Sequence, residues 1–188
     1  MAEPVTLFDA RAHLRIDADE GSHPDDGYIQ ALISAARSHV EGLTQQTLVQ
    51  ATRDAYFDEF PDDDDPDWED GIRLPFGPVS SVSFVKYVGT DGVLATLDSA
   101  VYRLDSASLR PRLALEYGQC WPSTQEVVNA VQVRAVCGGT VDPALKQAIL
   151  LLVAHWYENR VPVGSGSQAE LPLMVDALLA PHRVWSLA

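Results

Sequence analysis

The chain has 188 residues, with 27 acidic and 13 basic side chains and a formal net charge of −14 at pH 7. This length suits a single domain, and a chain of this size buries enough surface to fold without disulfides or a metal. The negative charge argues against a protein that grips nucleic acid or docks on an anionic membrane, because both functions need a positive surface.

The N-terminal third predicts a helical hairpin. Thr6 can cap a first helix, with Asp9 in a capping-box position, and a second helix follows from about Asp25. Apolar residues then keep a 3.6-residue period over four turns: Tyr28, Ile29, Leu32, Ile33, Ala36, Val40 and Leu43. The helical part is predicted to cover residues 6–48.

The acidity is concentrated in one segment. Nine acidic residues and no basic one lie between Asp58 and Asp70, so the rest of the chain carries only −5. An EF-hand reading fails because Trp68 stands where the loop needs glycine. Two interpretations stay open, a solvated loop of mutually repelling charges and weak capture of Ca²⁺ or Mg²⁺. The predicted acidic surface or lumen loop contains Asp62, Asp63, Asp64, Asp65, Asp67, Glu69 and Asp70.

The middle of the chain predicts a β-rich insertion over residues 52–137. Alternation of apolar and polar residues and intervening turn signals indicate short strands. They cover residues 52–57, 72–74, 79–88, 101–104, 112–116 and 127–136. The sequence Gly89-Thr90-Asp91-Gly92 is a hairpin signal that follows the third of these strands.

The C-terminal third returns to helix over residues 142–182, with a tail at 183–188. Asp142 is a plausible N-cap with Pro143 at the first helical position, and a final short helix is predicted over residues 173–179. The predicted fold class is α+β, in which a helical hairpin and a long C-terminal helix pack with a small antiparallel β-sheet. Residues 1–188 are predicted to form a single domain.

No catalytic motif is present. The five histidines occur in no metalloprotease pattern, and no Walker loop, dinucleotide fingerprint or nucleophile elbow occurs. His155 and Glu158 lie three apart on one predicted helix, but no second pair exists to complete a metal site. The sequence therefore predicts no catalytic residue, no metal, no cofactor and no enzymatic activity.

Targeting signals are equally sparse. Residues 1–4 lack the basic and apolar regions of a signal peptide. The longest strongly apolar stretch, residues 148–154, is far shorter than the ~20 residues of a membrane span. The sequence predicts a protein that is made in the cytoplasm and has no membrane partner.

Several segments, in order, resemble the head–tail connector proteins of tailed phages, the HK97-type connector family with its phiE125-type forms. They are residues 5–16, 28–41 and 72–79, Tyr117-Gly118-Gln119-Cys120-Trp121-Pro122, residues 131–134, and residues 145–160 with His155-Trp156-Tyr157-Glu158-Asn159-Arg160. Each segment alone is a weak pattern, but their order and spacing together cover nearly the whole chain.

The resemblance implies a structural virion protein. Such proteins form a ring, usually of twelve copies, beneath the portal of the capsid, and they also occur in gene transfer agents. The ring joins the portal to the next tail-completion protein and surrounds the channel through which DNA leaves. A negative wall suits such a channel, since like charge keeps DNA from binding as it passes.

The C-terminal tail is predicted to bind the portal, because Trp185 can act as an aromatic anchor. The predicted partner-binding residues are Pro181, His182, Arg183, Val184 and Trp185, with the loop at 164–170 as a second candidate. Two other functions stay open at this point. One is a cytosolic metal-binding module or hydrolase that uses the acidic run at 58–70, and the other is an assembly chaperone that binds basic partners by charge.

Overall fold

The chain folds into two units, which we call the helical unit (Met1–Val49 and Gly139–Ala188) and the β unit (Gln50–Gly138). The computed structural model describes residues 3–16, 21–61, 71–107, 110–160 and 173–183. The sequence enters the β unit once and leaves it once, so the β unit is an insertion between two halves of the helical unit.

The helical unit follows the caps and periods of the sequence. Its described helices are α1 (Leu7–Leu14), α2 (Asp26–Thr44), α3 (Pro143–Glu158) and α4 (Leu173–Leu179), with a 3-10 turn at Ala180–His182. Thr6 Oγ1 accepts a hydrogen bond from the Asp9 amide at 3.1 Å, and Asp9 Oδ2 accepts one from the Thr6 amide at 3.0 Å. This reciprocal capping satisfies two amides that a helix start leaves unpaired.

One apolar core holds the helices of this unit together. The buried stripe of α2 contains Ile29, Ile33, Ala36 and Val40; that of α3 contains Leu145, Ala148, Ile149, Leu152 and Val153; and α4 adds Val175 and Leu179. Each large aliphatic side chain buried in this way contributes about 1.5–3 kcal/mol. No helix within the described ranges is long and apolar enough to cross a membrane.

The described part of the β unit contains two antiparallel sheets. Its described strands are β1 (Ala51–Phe57), β2 (Ile72–Arg73), β3 (Val79–Val88), β4 (Leu94–Thr96), β5 (Tyr102–Asp105), β6 (Arg112–Leu115) and β7 (Val131–Cys137). The first sheet has the order β1-β7-β3-β4 and the second the order β2-β6-β5. Every second residue of β7 is buried, because this strand lies inside the first sheet and turns one face to the core.

The ends of the β unit lie side by side. Ala51, at the start of β1, pairs with Cys137, at the end of β7. In the helical unit, the Gly139 amide donates a hydrogen bond to the Leu48 carbonyl at 3.0 Å. The chain passes between the two units twice, and within each unit the residues next to these two connections are neighbours.

The predicted α+β class is confirmed, with differences in the strands. The single small sheet of the prediction is two sheets, and β4 was indicated only by the hairpin signal before it. The last strand begins at Val131 rather than at 127, because Asn129 has a φ of 59°, which breaks an extended chain. That residues 1–188 act as one domain stays a prediction.

Candidate functional site

A cluster of charged and aromatic side chains joins the start of α2 to the end of α3. The Tyr157 hydroxyl and the Arg160 guanidinium both donate to Asp25 Oδ2, at 2.5 and 2.9 Å. The Arg160 guanidinium lies 4.8 Å from the ring centroid of Tyr28 and 4.9 Å from that of Tyr157. These hydrogen bonds, the one from Tyr157 first, hold the pKa of Asp25 below its usual range. The same bond raises the pKa of Tyr157.

A second ion pair joins α1 to the start of α2. The buried Arg11 guanidinium donates to both carboxylate oxygens of Asp26 and, at 3.2 Å, to the Gly21 carbonyl. The His23 amide also donates to Asp26, at 2.9 Å. Hydrogen bonding from Arg11 lowers the pKa of Asp26. Arg11 and Asp26 bond to each other and to backbone groups of the same unit. They therefore stabilise the helical hairpin and do not form a reactive site.

Apolar side chains project from the helical unit. Phe8 on α1 is 68% exposed, and Leu173 and Met174 on α4 are 86% and 60% exposed. On the same short helix α4, Val175 and Leu179 are fully buried. The inner residues thus anchor α4 while its first two residues remain accessible. Exposed apolar groups on an anchored helix are candidate contacts with another protein.

The predicted partner-binding residues are only partly described. Pro181 and His182 end the 3-10 turn, and the His182 carbonyl accepts a hydrogen bond from Gln46 Nε2 at 2.7 Å. Arg183 Nη2 donates to Asp176 Oδ1 at 2.5 Å. Val184 and Trp185 lie outside the described residues. The described part of this segment is held against its own unit, and its role in partner binding stays a prediction.

The predicted acidic loop also lies outside the described residues, from 62 to 70. Its first two acidic neighbours are described: Asp58 accepts a hydrogen bond from the Asn129 amide at 2.8 Å, and Glu59 is exposed. The placement of the loop on a surface or in a lumen stays a prediction.

The described residues contain no group of three or more His, Cys, Asp or Glu that could hold a metal ion. His155 lies on α3, and the nearby Asn159 side chain donates to the His155 carbonyl at 2.8 Å. Glu158 makes no ion pair with another described residue. The structure therefore does not bring this pair together with further ligands from the described ranges.

The outer face of the first sheet carries contacts that sequence reasoning missed. Arg134 on β7 forms two hydrogen bonds to Asp54 on β1, at 2.7 and 2.8 Å. The Arg134 guanidinium lies 4.9 Å from the ring centroid of Phe84 on β3, and the Lys86 ammonium lies 4.6 Å from the same ring. Asp54 and Arg134 are 80 positions apart, so only the strand register could have paired them.

Comparisons with known proteins agree on one class. Residues 4–87 match the family model of Phage gp6-like head-tail connector proteins. The chain is similar over its full length to a chain from the neck of an empty gene transfer agent particle, with 25% identity, 95% of that chain covered and a TM-score of 0.73. No curated protein sequence matches.

Two further solved structures have the same fold. One is a chain from the virion of a native gene transfer agent particle (24% identity, TM-score 0.71), and the chain covers 95% of it. The other is from the neck of a native particle computed with C12 symmetry (22% identity, TM-score 0.64), of which 94% is covered. All of the present chain is covered in both.

The family model matches less than half of the chain, and the solved neck structures share its fold over the whole chain. The match over residues 4–87 confirms the resemblance to that family which the sequence indicated.

Proposed function

We propose that the protein assembles as a ring at the head–tail junction of a phage or phage-like particle. In this proposal twelve copies bind beneath the portal and carry the next tail-completion protein. DNA passes through the central channel without specific binding. The protein acts through its surfaces and performs no catalysis.

One observation carries the proposal: the whole chain shares its fold with a chain from the neck of a gene transfer agent particle. The family match over residues 4–87 supports the same class from sequence. The two neck structures were computed with C6 and C12 symmetry, which supports a closed ring of repeated subunits. In such a ring each copy presents two different patches that meet on neighbouring copies.

The exposed end of α4 is our candidate for one of these patches. Leu173 and Met174 leave most of their surface in water, while Val175 and Leu179 hold the helix on the core. Burying these two side chains at an interface contributes a favourable free energy of about 25 cal/mol for each Å² of apolar area removed from water. A pre-anchored helix also loses little conformational entropy on binding. Both effects favour a contact at this place.

Charge sets a condition on assembly. Each copy carries −14, so neighbouring copies repel one another at low ionic strength. Salt at physiological concentration screens charges beyond about 8 Å. Contacts between copies should therefore be apolar and locally paired, and the negative wall they form should not retain DNA.

The test is the assembly state of the purified protein, alone and with a portal, measured by mass photometry and negative-stain electron microscopy. We expect twelve-fold rings. They form from the protein alone, or only after portal is added if the portal is needed to start assembly. The double variant Leu173→Ser/Met174→Ser should reduce ring formation, because it removes the apolar contact without touching the core.

The control is Val93→Ser/Leu94→Ser, which removes two exposed apolar side chains from the β unit; they are 59% and 60% exposed, against 86% and 60% for Leu173 and Met174. Assembly that fails equally in both variants would contradict the role of α4 and leave the ring intact as a proposal. A wild-type protein that stays monomeric with and without portal would contradict the ring itself.

The predicted tail contact is tested in the portal arm of the same experiment. Trp185→Ala should lower the amount of portal that co-purifies, because aromatic anchors contribute much of the energy of an interface. Unchanged co-purification, with circular dichroism equal to that of the wild type, would contradict a grip by the tail.

A further inference from the structure

A cleft of about 320 Å³ opens on the β unit. Residues 59–61, which follow β1, line one side of it, and residues 121–124 and 126, which precede β7, line the other. Nothing in the head–tail connector assignment gives this cleft a role.

The cleft has a fixed aromatic wall. The ring of Phe60 stacks on the indole of Trp121, with centroids 5.0 Å apart and planes at 9°. Tyr87 contacts Phe60 edge-on at 5.6 Å. Phe60 is buried and Trp121 is half-buried, so the wall is packed on the core of the unit and still faces the cleft.

Hydrogen bonds donated by backbone amides, one of them to the Asp58 carboxylate, hold the two sides in place. The Asn129 amide donates to Asp58 at 2.8 Å, which ties the segment after β1 to the loop before β7. The Gln125 amide donates to the Val88 carbonyl at 3.0 Å, and Thr124 forms a bridge with Gly89. The loop is thus fastened to the end of β3, and the cleft is largely formed before any partner binds.

The rim of the cleft is acidic. Glu59 and Glu126 both line the cleft and are exposed, and neither forms a hydrogen bond or ion pair with another described residue. The chain then continues from Pro61 into the acidic residues that begin at Asp62.

We propose that this cleft binds an arginine side chain from a basic, extended segment of a partner protein. A planar guanidinium can lie against an aromatic ring while its N–H groups donate to carboxylates, which an ammonium does less well. A second copy of this chain is the poorer occupant, because each copy carries −14. The site is independent of ring formation, so the two can fail separately.

The test uses a fluorescein-labelled nonapeptide of glycine and serine with three arginines, and matched peptides with lysine or with neutral citrulline at the same places. Binding to the full-length protein is measured by fluorescence anisotropy at physiological salt. We expect the arginine peptide to bind more tightly than the lysine peptide, and the citrulline peptide not to bind.

The deciding variant is Glu59→Gln/Glu126→Gln, which removes the rim charges and keeps the aromatic wall. We expect it to weaken binding of the arginine peptide about tenfold or more, as the loss of charged partners at an interface does. Its control is Glu116→Gln/Glu158→Gln, which changes the net charge equally at two exposed residues that do not line the cleft. The control should change the affinity by less than about twofold.

Three results would overturn the proposal. Equal weakening by both double variants would mean attraction to the whole acidic protein rather than to the cleft. Equal affinity for arginine and lysine peptides would exclude recognition of a guanidinium. Absence of binding to the wild type, whose fold is verified by circular dichroism, would leave the cleft without this function.

Discussion

At the scale of single residues, arginine–aspartate pairs join neighbouring helices and neighbouring strands. Arg11 bonds Asp26 in the helical unit, and Arg134 bonds Asp54 in the β unit. Both carboxyls have lowered pKa values, because the guanidinium donates hydrogen bonds to them. The Asp54–Arg134 pair is partly exposed, so its value lies more in fixing the strand register than in raw stability.

The pair of Asp54 and Arg134 predicts a pH dependence of a definite sign. The unperturbed pKa of Asp54 is 3.8, and its folded pKa is lower. The stabilisation is therefore fully present above 3.8 and is lost as the pH falls through the folded value. We expect Asp54→Asn to be less stable than the wild type at neutral pH, with the gap closing as the pH falls below about 4.

Urea unfolding of the wild type and of Asp54→Asn, from neutral pH downwards, measures the difference between their free energies of unfolding. Taking the difference between the two proteins cancels the charge effects common to both. Glu116→Gln serves as the control, because Glu116 is exposed and makes no ion pair with another described residue. A gap that widens on acidification would contradict the assignment.

At the scale of elements, local signals predicted most boundaries. The capping residues Thr6 and Asp142 start α1 and α3 as expected, since a cap needs only its own neighbours in sequence. The strands were harder to bound. Residues 127–130 look like strand in the sequence, but Asn129 has a left-handed φ and Val128 is 78% exposed. Strand ends depend on partners, which the local sequence does not reveal.

Gly71 lies so close to the backbone of β6 that a larger residue should destabilise the fold. It has a φ of +86°, and a Cβ atom there would overlap the carbonyl oxygen of Leu113. We expect Gly71→Ala to lower the free energy of unfolding by about 3 kcal/mol, from the left-handed backbone and the clash together. The control is Gly118→Ala, where φ is +77° but nothing lies within 4 Å. It should cost only about 1 kcal/mol.

Denaturant unfolding of the two alanine variants tests this directly. Equal losses would mean that the backbone conformation alone matters and that the close approach to β6 does not.

At the scale of the whole molecule, the chain consists of two units with separate cores. The apolar clusters of the helical unit and of the β unit share no residue. The β unit also begins and ends at neighbouring positions, where Ala51 pairs with Cys137. Such an insertion can fold by itself when its core is complete.

We therefore expect a fragment of residues 50–138 to fold alone. Its circular dichroism should show β structure, and its amide NMR signals should be well dispersed. A shorter fragment, 58–138, is the control, because it lacks β1 and leaves β7 without one of its two neighbours. An unfolded 50–138 fragment would show that the β unit depends on the helical unit.

The sequence by itself determined the α+β class, the helices and the resemblance to head–tail connectors. Caps, apolar periods and the order of short segments are all written locally along the chain. Only the tertiary structure decided the two sheets, the pairing of Arg134 with Asp54 and the stacking of Phe60 on Trp121. The two side-chain contacts join residues 60 or more positions apart. Their partners are chosen by strand register and core packing, which no local pattern records.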